Sequence, residues 1–290
     1  MKTEDTIIVR FKGGLGNQMF EYALYYALSR KGRRVKGDRS SYSIPGAMPF
    51  ELIEVFPKVK IEWASEKEID YYQKKQAERS VLEKIAGRFD WGKRYDTAEK
   101  EDGVYDKRVF DIKKGFIDGY WQAEQYFKEY REELLELYHF QIKNEELQKY
   151  AADLPVNSVS VHIRRGDYLK HPEIYGGICE EAYYHKAMEF FRKKLENPVF
   201  YFFSNDTEWV KKRFAEEDCV IVKPQNFSEY TNWYDLYLMS SCSHNIIANS
   251  SFSWWGAWLN RNPESIVLAP SKWLNGNGTP DIWCKQWMKL

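Results

Sequence analysis

The segment best suited to chemistry is Val159–Tyr168, which reads VSVHIRRGDY. As an extended strand it places His162 and Arg164 on one face and Arg165 on the other, because alternate side chains of a strand share a face. A guanidinium at a strand end is a planar fork of donors that matches phosphate oxygens. The pattern therefore predicts an anion site at Arg164, with Asp167 close by. The alternative is an ion pair between Arg165 and Asp167 that only closes a turn.

A second candidate is the glycine-rich segment Gly13–Gln18, which follows a strand-like run. Glycines such as Gly14 and Gly16 let backbone N–H groups approach an anion or a sugar, and the start of the next helix adds positive potential. Met19 stands where a dinucleotide fingerprint needs its third glycine, although Asp38 lies about 20 residues on, where a ribose carboxylate belongs. The segment thus leaves open a nicotinamide-dinucleotide site or a tight turn without a ligand.

A third candidate begins where a strand ends near Ala248 and a helix starts. Hydroxyl side chains at such a position either cap the helix or hold a phosphate together with its unpaired N–H groups. Two tryptophans in the same helix either fill the core or line a sugar site. The residues concerned are Asn249, Ser250, Ser251, Phe252, Trp254 and Trp255.

Two carboxylates complete the candidates. Asp206 follows an apolar run that ends at Phe203, so it can hydrogen-bond a ribose or a base, or cap the next helix. Asp235 stands among aromatic residues in a helical pattern, where a carboxylate needs a partner. The chain has no D-x-D, H-E-x-x-H, G-x-S-x-G or G-x-x-x-x-G-K-[ST] pattern, and its histidines are scattered. We therefore expect no metal centre.

To position these candidate residues, the chain needs strands and helices that alternate. In the first part we predict strands at Thr6–Phe11 and Gly115–Tyr120, and helices at Met19–Arg30, Glu66–Val81 and Ala123–Tyr138, with a loop at Arg88–Asp106. The second part alternates regularly, which is typical of a doubly wound parallel sheet. Its predicted strands are Ser158–Ile163, Val199–Phe203, Val220–Val222, Asn245–Ala248 and Ser265–Leu268, and its predicted helices are Glu180–Leu195, Thr207–Ala215, Glu229–Ser240 and Phe252–Asn260.

The break at Asp153–Pro155 marks a domain boundary. We therefore expect two α/β lobes, 1–153 and 154–290, and a length of 290 residues is sufficient for two domains. In open parallel sheets, ligands bind outside the carboxyl ends of the strands. Apart from His162 within a predicted strand and Asp235 within a predicted helix, the candidate residues follow predicted strands, so they are expected at those edges.

Composition excludes several classes of protein. The 43 Lys and Arg balance 43 Asp and Glu, which argues against a globally basic nucleic-acid binder. Aromatic residues make up 17% of the chain, which excludes a disordered protein and admits a surface that stacks sugars. No apolar run approaches the roughly 18 residues of a membrane span. The four cysteines have no metal-binding spacing and are expected to be free thiols.

Five segments of the chain, taken in the order in which they occur, resemble the bacterial type of α-1,2-fucosyltransferase of glycosyltransferase family 11. The resemblance implies a GT-B fold, which has two Rossmann-like lobes with parallel sheets and a cleft between them, the first on the acceptor side and the second binding the donor. It implies transfer of L-fucose from GDP-β-L-fucose to the 2-hydroxyl of a terminal galactose, with inversion and without a metal. The segments are Gly13–Met19, Gly119–Gln122, His162–Tyr168, Phe203–Asp206 and Asn249–Gly256.

The resemblance also implies roles for single residues. Arg164 would hold the donor diphosphate, and Asn17 would lie near the transferred sugar. A positioned carboxylate is the best base for the acceptor hydroxyl. Asp167 and Asp118 are candidates and Glu21 is a weaker one, but the sequence singles out none, and the alternative is a proton that leaves late, to water or to the departing phosphate. The other implied donor-binding residues are Gly14, Gly16, His162, Asn249, Asp206 and Asp235 (the last two for ribose and guanine), with Ser250, Ser251 and Phe252 at the β-phosphate. The implied acceptor-binding residues are Gln18, Tyr120 and Trp121.

We expect no cofactor apart from the donor substrate GDP-fucose, and a galactose-terminated glycan as the partner. The expected location is cytoplasmic, with peripheral attachment at the inner membrane as a variant, because the first residues have no signal-peptide pattern. The alternatives are a NAD-dependent oxidoreductase that uses the Gly14–Gly16 loop and a non-catalytic sugar-binding module. Binding of GDP in the presence of a chelator distinguishes the transferase from both.

Overall fold

The computed structural model describes residues 5–74, 96–99, 103–223, 226–276 and 280–290. The chain divides into two compact units. The first is Met1–His139 with Gly278–Ile282, and the second is Phe140–Asn277 with Trp283–Leu290. Backbone hydrogen bonds join the late segment to the first unit, since Asp281 N–H donates to Gly103 O over 2.7 Å.

The division falls between His139 and Phe140 and not at the predicted 153/154. Ring contacts explain the difference. Phe140 stacks on Trp233 with ring centroids 6.0 Å apart, and Tyr150 meets Phe227 edge-on at 5.6 Å. These aromatic contacts bind residues 140–153 to the second unit, although the proline break that suggested the boundary comes after them.

The first unit contains a four-stranded parallel sheet in the order β2-β1-β4-β3. In its register Val9 lies opposite Gly37 and Ile117. Lys12 and Asp118 therefore lie at the same carboxyl edge of the sheet. The strands are β1 Thr6–Arg10, β2 Arg34–Asp38, β3 Asp96–Ala98 and β4 Gly115–Asp118.

The helices of the first unit start with α1, Leu15–Arg30. This helix begins at Leu15 and not at the predicted Met19, so Gly16 and Gln18 belong to its first turn. It ends before Gly32, whose φ of 76° suits glycine and whose N–H donates to Ser29 O. The others are α2 Leu52–Val55, α3 over 66–74 and α4 Arg131–Leu137.

Several expectations for the first unit need correction. Strand β2 was not predicted because charged residues interrupt it, yet Lys36 is buried within it and pairs with Glu68 at 2.8 Å. Strand β3 interrupts the predicted loop Arg88–Asp106. Within the predicted helix Ala123–Tyr138 only α4 is an α-helix, and short 3-10 turns precede it. Residues 75–81 of the predicted helix Glu66–Val81 lie outside the described residues.

The second unit contains a six-stranded parallel sheet in the order β10-β9-β8-β5-β6-β7. The sequence located five of these strands, and only the short β10 was not predicted. The strands are β5 Ser158–Ile163, β6 Val199–Ser204, β7 Cys219–Ile221, β8 His244–Ile246, β9 Val267–Ala269 and β10 Met288–Lys289. The helices are α5 Glu145–Ala152, α6 Pro172–Tyr175, α7 Glu181–Lys194, α8 Thr207–Arg213, α9 Trp233–Ser241 and α10 Ser251–Trp258.

The core of the second unit forms around β5, which is buried along its whole length. Val161 and Phe202 of neighbouring strands pack there with Met188 of α7. Full burial of one such side chain stabilises the fold by about 1.5–3 kcal/mol. Trp254 and Trp255 are also completely buried, edge to face with centroids 4.8 Å apart. The expectation that they could stack a sugar is therefore wrong.

The α/β class and the two Rossmann-like units, each with a parallel sheet, are confirmed. Parallel strands require crossover connections, and the helices α1 and α7 supply two of them here. The cleft expected between the lobes stays a prediction.

Candidate active site

The turn after β5 carries Arg164. Its Nε lies 2.9 Å from Asp167 Oδ1, and its Nη2 donates to Oδ2 over 3.0 Å. The two side chains are 30% and 56% exposed, so the fork is accessible to a ligand. The pairing of Arg165 with Asp167, considered above as an alternative, is wrong. Asp167 instead holds the guanidinium of Arg164 in one orientation.

Arg165 takes different partners. Its Nε lies 3.1 Å from Asp206 Oδ2, and its guanidinium covers the ring of Trp209 at 4.2 Å. Its backbone N–H donates to Asn205 Oδ1 over 3.0 Å. Arg165 thus ties the turn to the end of β6 and leaves Arg164 to present its fork.

Gly166 and Asn205 fit into one another. A Cβ on Gly166 would overlap the amide nitrogen of Asn205, so only glycine leaves room for that side chain. The segments His162–Tyr168 and Phe203–Asp206 are therefore one structural assembly. Sequence reasoning missed Asn205, although it lies inside a segment that we singled out.

Asp206 serves as the cap of α8. One carboxylate oxygen accepts from Trp209 N–H over 3.1 Å, and the other pairs with Arg165. Of the two roles predicted for Asp206, these contacts show the cap of the next helix. Its contact with a ribose stays a prediction.

The start of α10 has the form of an anion site. Ser250 makes no side-chain cap bond, and the first helical bond runs from Trp254 N–H to Ser250 O. The N–H groups of Ser251, Phe252 and Ser253 precede that bond and point out of the helix end. An oxyanion placed there would meet these donors and the positive end of the helix dipole.

The side chain of Asn249 faces into the protein. Its Nδ2 donates to Trp273 O over 3.0 Å, which leaves mainly its backbone near the helix start. Tyr168 donates its hydroxyl to Asn249 O over 2.9 Å and has the Arg164 guanidinium 5.8 Å from its ring. Tyr168, which we did not single out, thus connects Arg164 with the start of α10.

His162 is 6% exposed, with its ring centroid 5.8 Å from that of Phe252. Burial, with the Arg164 charge in second place, lowers its pKa to about 3. The imidazole is therefore neutral at physiological pH. Within the described part of the chain, its Nδ1 is buried without a hydrogen-bond partner. His162 can hydrogen-bond a ligand near α10 but does not add positive charge there.

Asp235 lies in the first turn of α9 and is partly buried. Burial raises its pKa to about 7, against the opposing effect of a hydrogen bond from Tyr230. A carboxyl group with this pKa is partly protonated at neutral pH. A carboxyl group with such a shifted pKa is typical of a functional site. Its ionised form would be stabilised most by a ligand that offers N–H donors.

In the first unit, Asn17 lies in the first turn of α1 and Gln122 follows β4. Gln122 Nε2 donates to Asn17 Oδ1 over 2.9 Å, which orients the Asn17 amide. Gly14 caps the helix by its backbone only, with no side-chain cap bond. Gly13 has a φ of 73°, and a Cβ there would lie 2.5 Å from Asn17 Nδ2. The glycines thus leave room for Asn17 at the helix start.

Gln18 does not have the expected access to an acceptor. It is fully buried, and its Nε2 donates to Gly13 O and Pro49 O over 3.0 and 2.9 Å. Its Oε1 accepts from Glu51 N–H and Leu52 N–H, both at 3.0 Å. These bonds use the whole hydrogen-bonding capacity of the amide. The implied acceptor contact is corrected to an internal role that fixes the loop before α2.

Of the two implied acceptor residues after β4, only Tyr120 is partly exposed. Trp121 is 1% exposed, so its contact with an acceptor is corrected to a core position. Trp121 also has a φ of 54°, which is uncommon for a residue with a side chain. Glu99 holds it there by accepting from Tyr120 N–H over 2.7 Å and Trp121 N–H over 3.1 Å. No sequence pattern indicated Glu99.

Glu21 is a poor candidate for a base. It is fully buried, so it cannot touch an acceptor, and both its oxygens accept from Lys12 N–H at 3.2 and 3.0 Å. Burial raises its pKa well above the usual range of a carboxyl group. Asp38 is equally buried and accepts from Ser40 N–H and Arg10 Nε, so its carboxylate is engaged inside the chain and not presented to a ribose.

Metal-ligating groups come together once in the described part of the chain, at Glu216, Asp218 and Cys219. Both carboxylates pair with Arg192, at 3.2 and 2.8 Å. The trio lies at the amino end of β7, at the opposite edge of the sheet from Arg164. Arg192 engages both carboxylates, and independence of a metal stays a prediction. Among the described residues no helix combines the length and the apolar character that a membrane crossing needs.

All 290 residues match the model of Glycosyl transferase family 11. The chain is 34% identical over 286 residues to "Alpha-1,2-colitosyltransferase" of Escherichia coli, with 92% of each protein covered. It is 32% identical over 304 residues to "O-antigen biosynthesis glycosyltransferase WbnK" of Escherichia coli, with 96% of this chain and 98% of the relative covered. Human "Galactoside alpha-(1,2)-fucosyltransferase 1" is 35% identical over 119 residues, or 40% of this chain and 32% of the human protein.

Solved glycosyltransferase structures are also similar. NodZ α-1,6-fucosyltransferase soaked with GDP-fucose has a TM-score of 0.46 at 13% identity, with 89% of this chain and 93% of that chain covered. Escherichia coli heptosyltransferase WaaC with ADP has a TM-score of 0.41 at 11% identity, with 98% and 92% covered. The match to the family over its full length, together with the two bacterial relatives, shows that this chain belongs to glycosyltransferase family 11.

Proposed function

We propose that this enzyme transfers L-fucose from GDP-β-L-fucose to the 2-hydroxyl of a terminal galactose, with inversion. The observation that carries the proposal is the Arg164 fork, linked through Tyr168 to the open start of α10. Both lie at the carboxyl edge of the second sheet, on the neighbouring strands β5 and β8. Such an edge is where α/β sheets bind nucleotides. The names of the relatives support the α-1,2 linkage.

The reaction breaks the bond between the sugar C1 and the phosphate oxygen and joins C1 to the acceptor oxygen. Negative charge grows on the departing GDP as this happens. Arg164 and the N–H groups at the start of α10 are already in place to stabilise that charge, which is a preorganised electrostatic contribution of several kcal/mol. We propose that these groups make a metal unnecessary.

The acceptor hydroxyl loses its proton during the attack. Asp167 is the carboxylate that we propose for it, with Asn17 orienting the sugar. In the structure Asp167 is engaged by Arg164. A diphosphate that accepts hydrogen bonds from the same guanidinium would weaken this pair and leave an oxygen of Asp167 able to accept a proton. Binding of the donor would thereby activate the base.

We propose that Asp235 binds the guanine base, because a carboxylate matches two adjacent N–H donors. Its pKa of about 7 makes this contact sensitive to pH. Guanine favours the ionised form, so GDP affinity is expected to rise from pH 6 to pH 8, by at most about tenfold per pH unit below the pKa. Titration calorimetry with GDP and ADP checks this, since the phosphates titrate in both and adenine lacks the two donors.

The variant Asp235→Asn should lose this difference between GDP and ADP at all pH values. A second expectation follows for folding. The native state keeps a proton on Asp235 that the unfolded chain releases near its ordinary pKa of about 3.9. Stability should therefore fall as the pH rises from 4 to 7, and less so in Asp235→Asn. A pH profile for GDP that is identical in the two proteins contradicts the guanine contact.

A donor and acceptor panel tests the proposed function. The enzyme is incubated in EDTA with GDP-fucose or GDP-colitose and galactose-terminated oligosaccharides, and products are analysed by linkage and anomeric configuration. We expect α-1,2-linked L-fucose on galactose, at a rate that EDTA does not reduce. Transfer of colitose without fucose corrects the donor, and the 34% identical colitosyltransferase makes that the second candidate. Binding of NAD without GDP contradicts the proposal.

A further inference from the structure

A group of charged and aromatic side chains lies at the carboxyl edge of the first sheet, where the neighbouring strands β1 and β4 end. Lys12 Nζ lies 2.8 Å from Asp118 Oδ1 and 4.6 Å from the centroid of the Tyr120 ring. The second oxygen of Asp118 lies 2.6 Å from Arg10 Nη1. We call Lys12, Asp118 and Tyr120 the edge cluster. None of these contacts serves the donor chemistry described above.

Neighbouring side chains hold the edge cluster in place. Arg10 is fixed by the ring of Phe116, 4.5 Å away, and by the buried Asp38 at 3.4 Å. The backbone of Lys12 is fixed by Glu21, which accepts its N–H. Burial is the largest single effect and opposes the charge of the Lys12 ammonium. The hydrogen bond and the charge of Asp118, with smaller contributions from neighbouring groups, together outweigh it and raise the pKa of Lys12. The cluster therefore keeps its charges in place before any ligand arrives.

The edge cluster is also reachable. The side chains of Lys12 and Asp118 are 31% and 29% exposed, and Tyr120 is partly exposed. An ammonium has three N–H donors and a carboxylate about four acceptor positions, so one mutual hydrogen bond leaves both with capacity for a ligand. Within these ion pairs the charges of Arg10 and Lys12 balance those of Asp38 and Asp118. A donor beside an acceptor suits a neutral ligand with hydroxyl groups better than a lone anion or cation.

A donor and an acceptor side by side match two neighbouring hydroxyl groups, one that accepts from the ammonium and one that donates to the carboxylate. An aromatic ring next to them suits the C–H face of a sugar. We infer that the edge cluster binds the acceptor, as a neutral pyranoside with neighbouring hydroxyls. The inference rests on the proposed function, since it concerns the second substrate of that reaction. Asp118 then orients a hydroxyl of the acceptor.

Two variants test the inference. Lys12→Met removes the donor and keeps most of the stem, and Asp118→Asn removes the charge and keeps the shape. Since hydrogen bonds to charged groups are involved, each should raise the acceptor KM by about tenfold to a hundredfold. The donor KM and the affinity for GDP should stay unchanged. Circular dichroism and Tm show whether each variant is folded.

The chain offers a matched control at the other end of α1. Lys31 Nζ lies 2.6 Å from Glu129 Oε1 and 5.8 Å from the centroid of the Tyr130 ring, so it repeats the same combination of groups. Lys31→Met should leave every kinetic constant unchanged. If Lys31→Met raises the acceptor KM as much as Lys12→Met does, loss of a surface charge explains the result and the inference is wrong.

Altered acceptors supply a test that does not depend on folding. Galactosides that lack the 3-hydroxyl or the 4-hydroxyl remove one possible partner of Asp118 each. The wild-type enzyme should lose at least about tenfold in kcat/KM with one of them, and Asp118→Asn should lose no more with that acceptor. Additive losses with both acceptors overturn the inference. If the wild-type enzyme transfers no sugar to any galactoside, it is the proposed function that fails.

Discussion

Replacing Arg164 by alanine is expected to abolish sugar transfer while the protein remains folded. The side chain is at the surface of its turn and pairs only with the more exposed Asp167 among the described residues, so its loss removes little packing. Loss of one preorganised donor at a site of developing charge typically costs 100- to 1000-fold in kcat, or about 2.7–4 kcal/mol. Transfer kinetics and Tm measured on the same preparation check the result.

Arg164→Lys should recover only a small part of the rate, because an ammonium is a point charge without the planar fork. Arg213→Ala is a suitable control. Arg213 is another surface arginine of the second unit, paired with Glu181 at 2.9 Å. The Arg213→Ala variant should transfer sugar at the full rate. Near-normal transfer by Arg164→Ala would remove the central support of the proposed function.

Gly166→Ala is expected to lower sugar transfer by loosening the turn that carries Arg164. The new methyl group would occupy the space of the Asn205 amide, which then cannot hold the backbone of Arg165. The exposed Asn205 side chain can rotate away, so the turn loses this one hydrogen bond, worth about 0.5–1.5 kcal/mol. We expect a loss of about two- to tenfold in kcat/KM with a small change in Tm.

A double-mutant cycle separates this explanation from general damage. Asn205→Ala alone loses the same hydrogen bond and should cost about as much as Gly166→Ala. In the double variant the methyl group finds space, so its activity should match that of Asn205→Ala. If the two losses add up in the double variant, the contact with Asn205 is not what makes this position need a glycine.

Much of the second unit could be predicted from the sequence. Strand β5 has the predicted bounds Ser158–Ile163, because each of its residues is buried and the run ends at a charged turn. Helix α7 was located to within a residue at each end. The sequence shows alternating apolar residues in β5 and a helical period of apolar residues in α7, and local patterns of this kind can be recognised without the structure.

The first unit was harder to predict from the sequence. Strand β2 contains Lys36, whose burial depends on Glu68, a partner from another element. The residues that resemble the family were found as a set, yet the resemblance could not tell a ligand contact from an internal one. Gln18 shows this, since its amide is consumed by the loop at Pro49–Leu52.

The sequence by itself determined the α/β class, the family and the segments that meet at strand ends, because these depend on residue types and short-range spacing. Only the tertiary structure decided the partner of each side chain. Arg165 meets Asp206, 41 residues away, and Lys12 meets Asp118, 106 residues away. Such pairs form because parallel strands bring distant carboxyl ends to one edge, with an order set by packing of the whole unit. The spacing of residues along the chain does not reveal the order of the strands in the sheet.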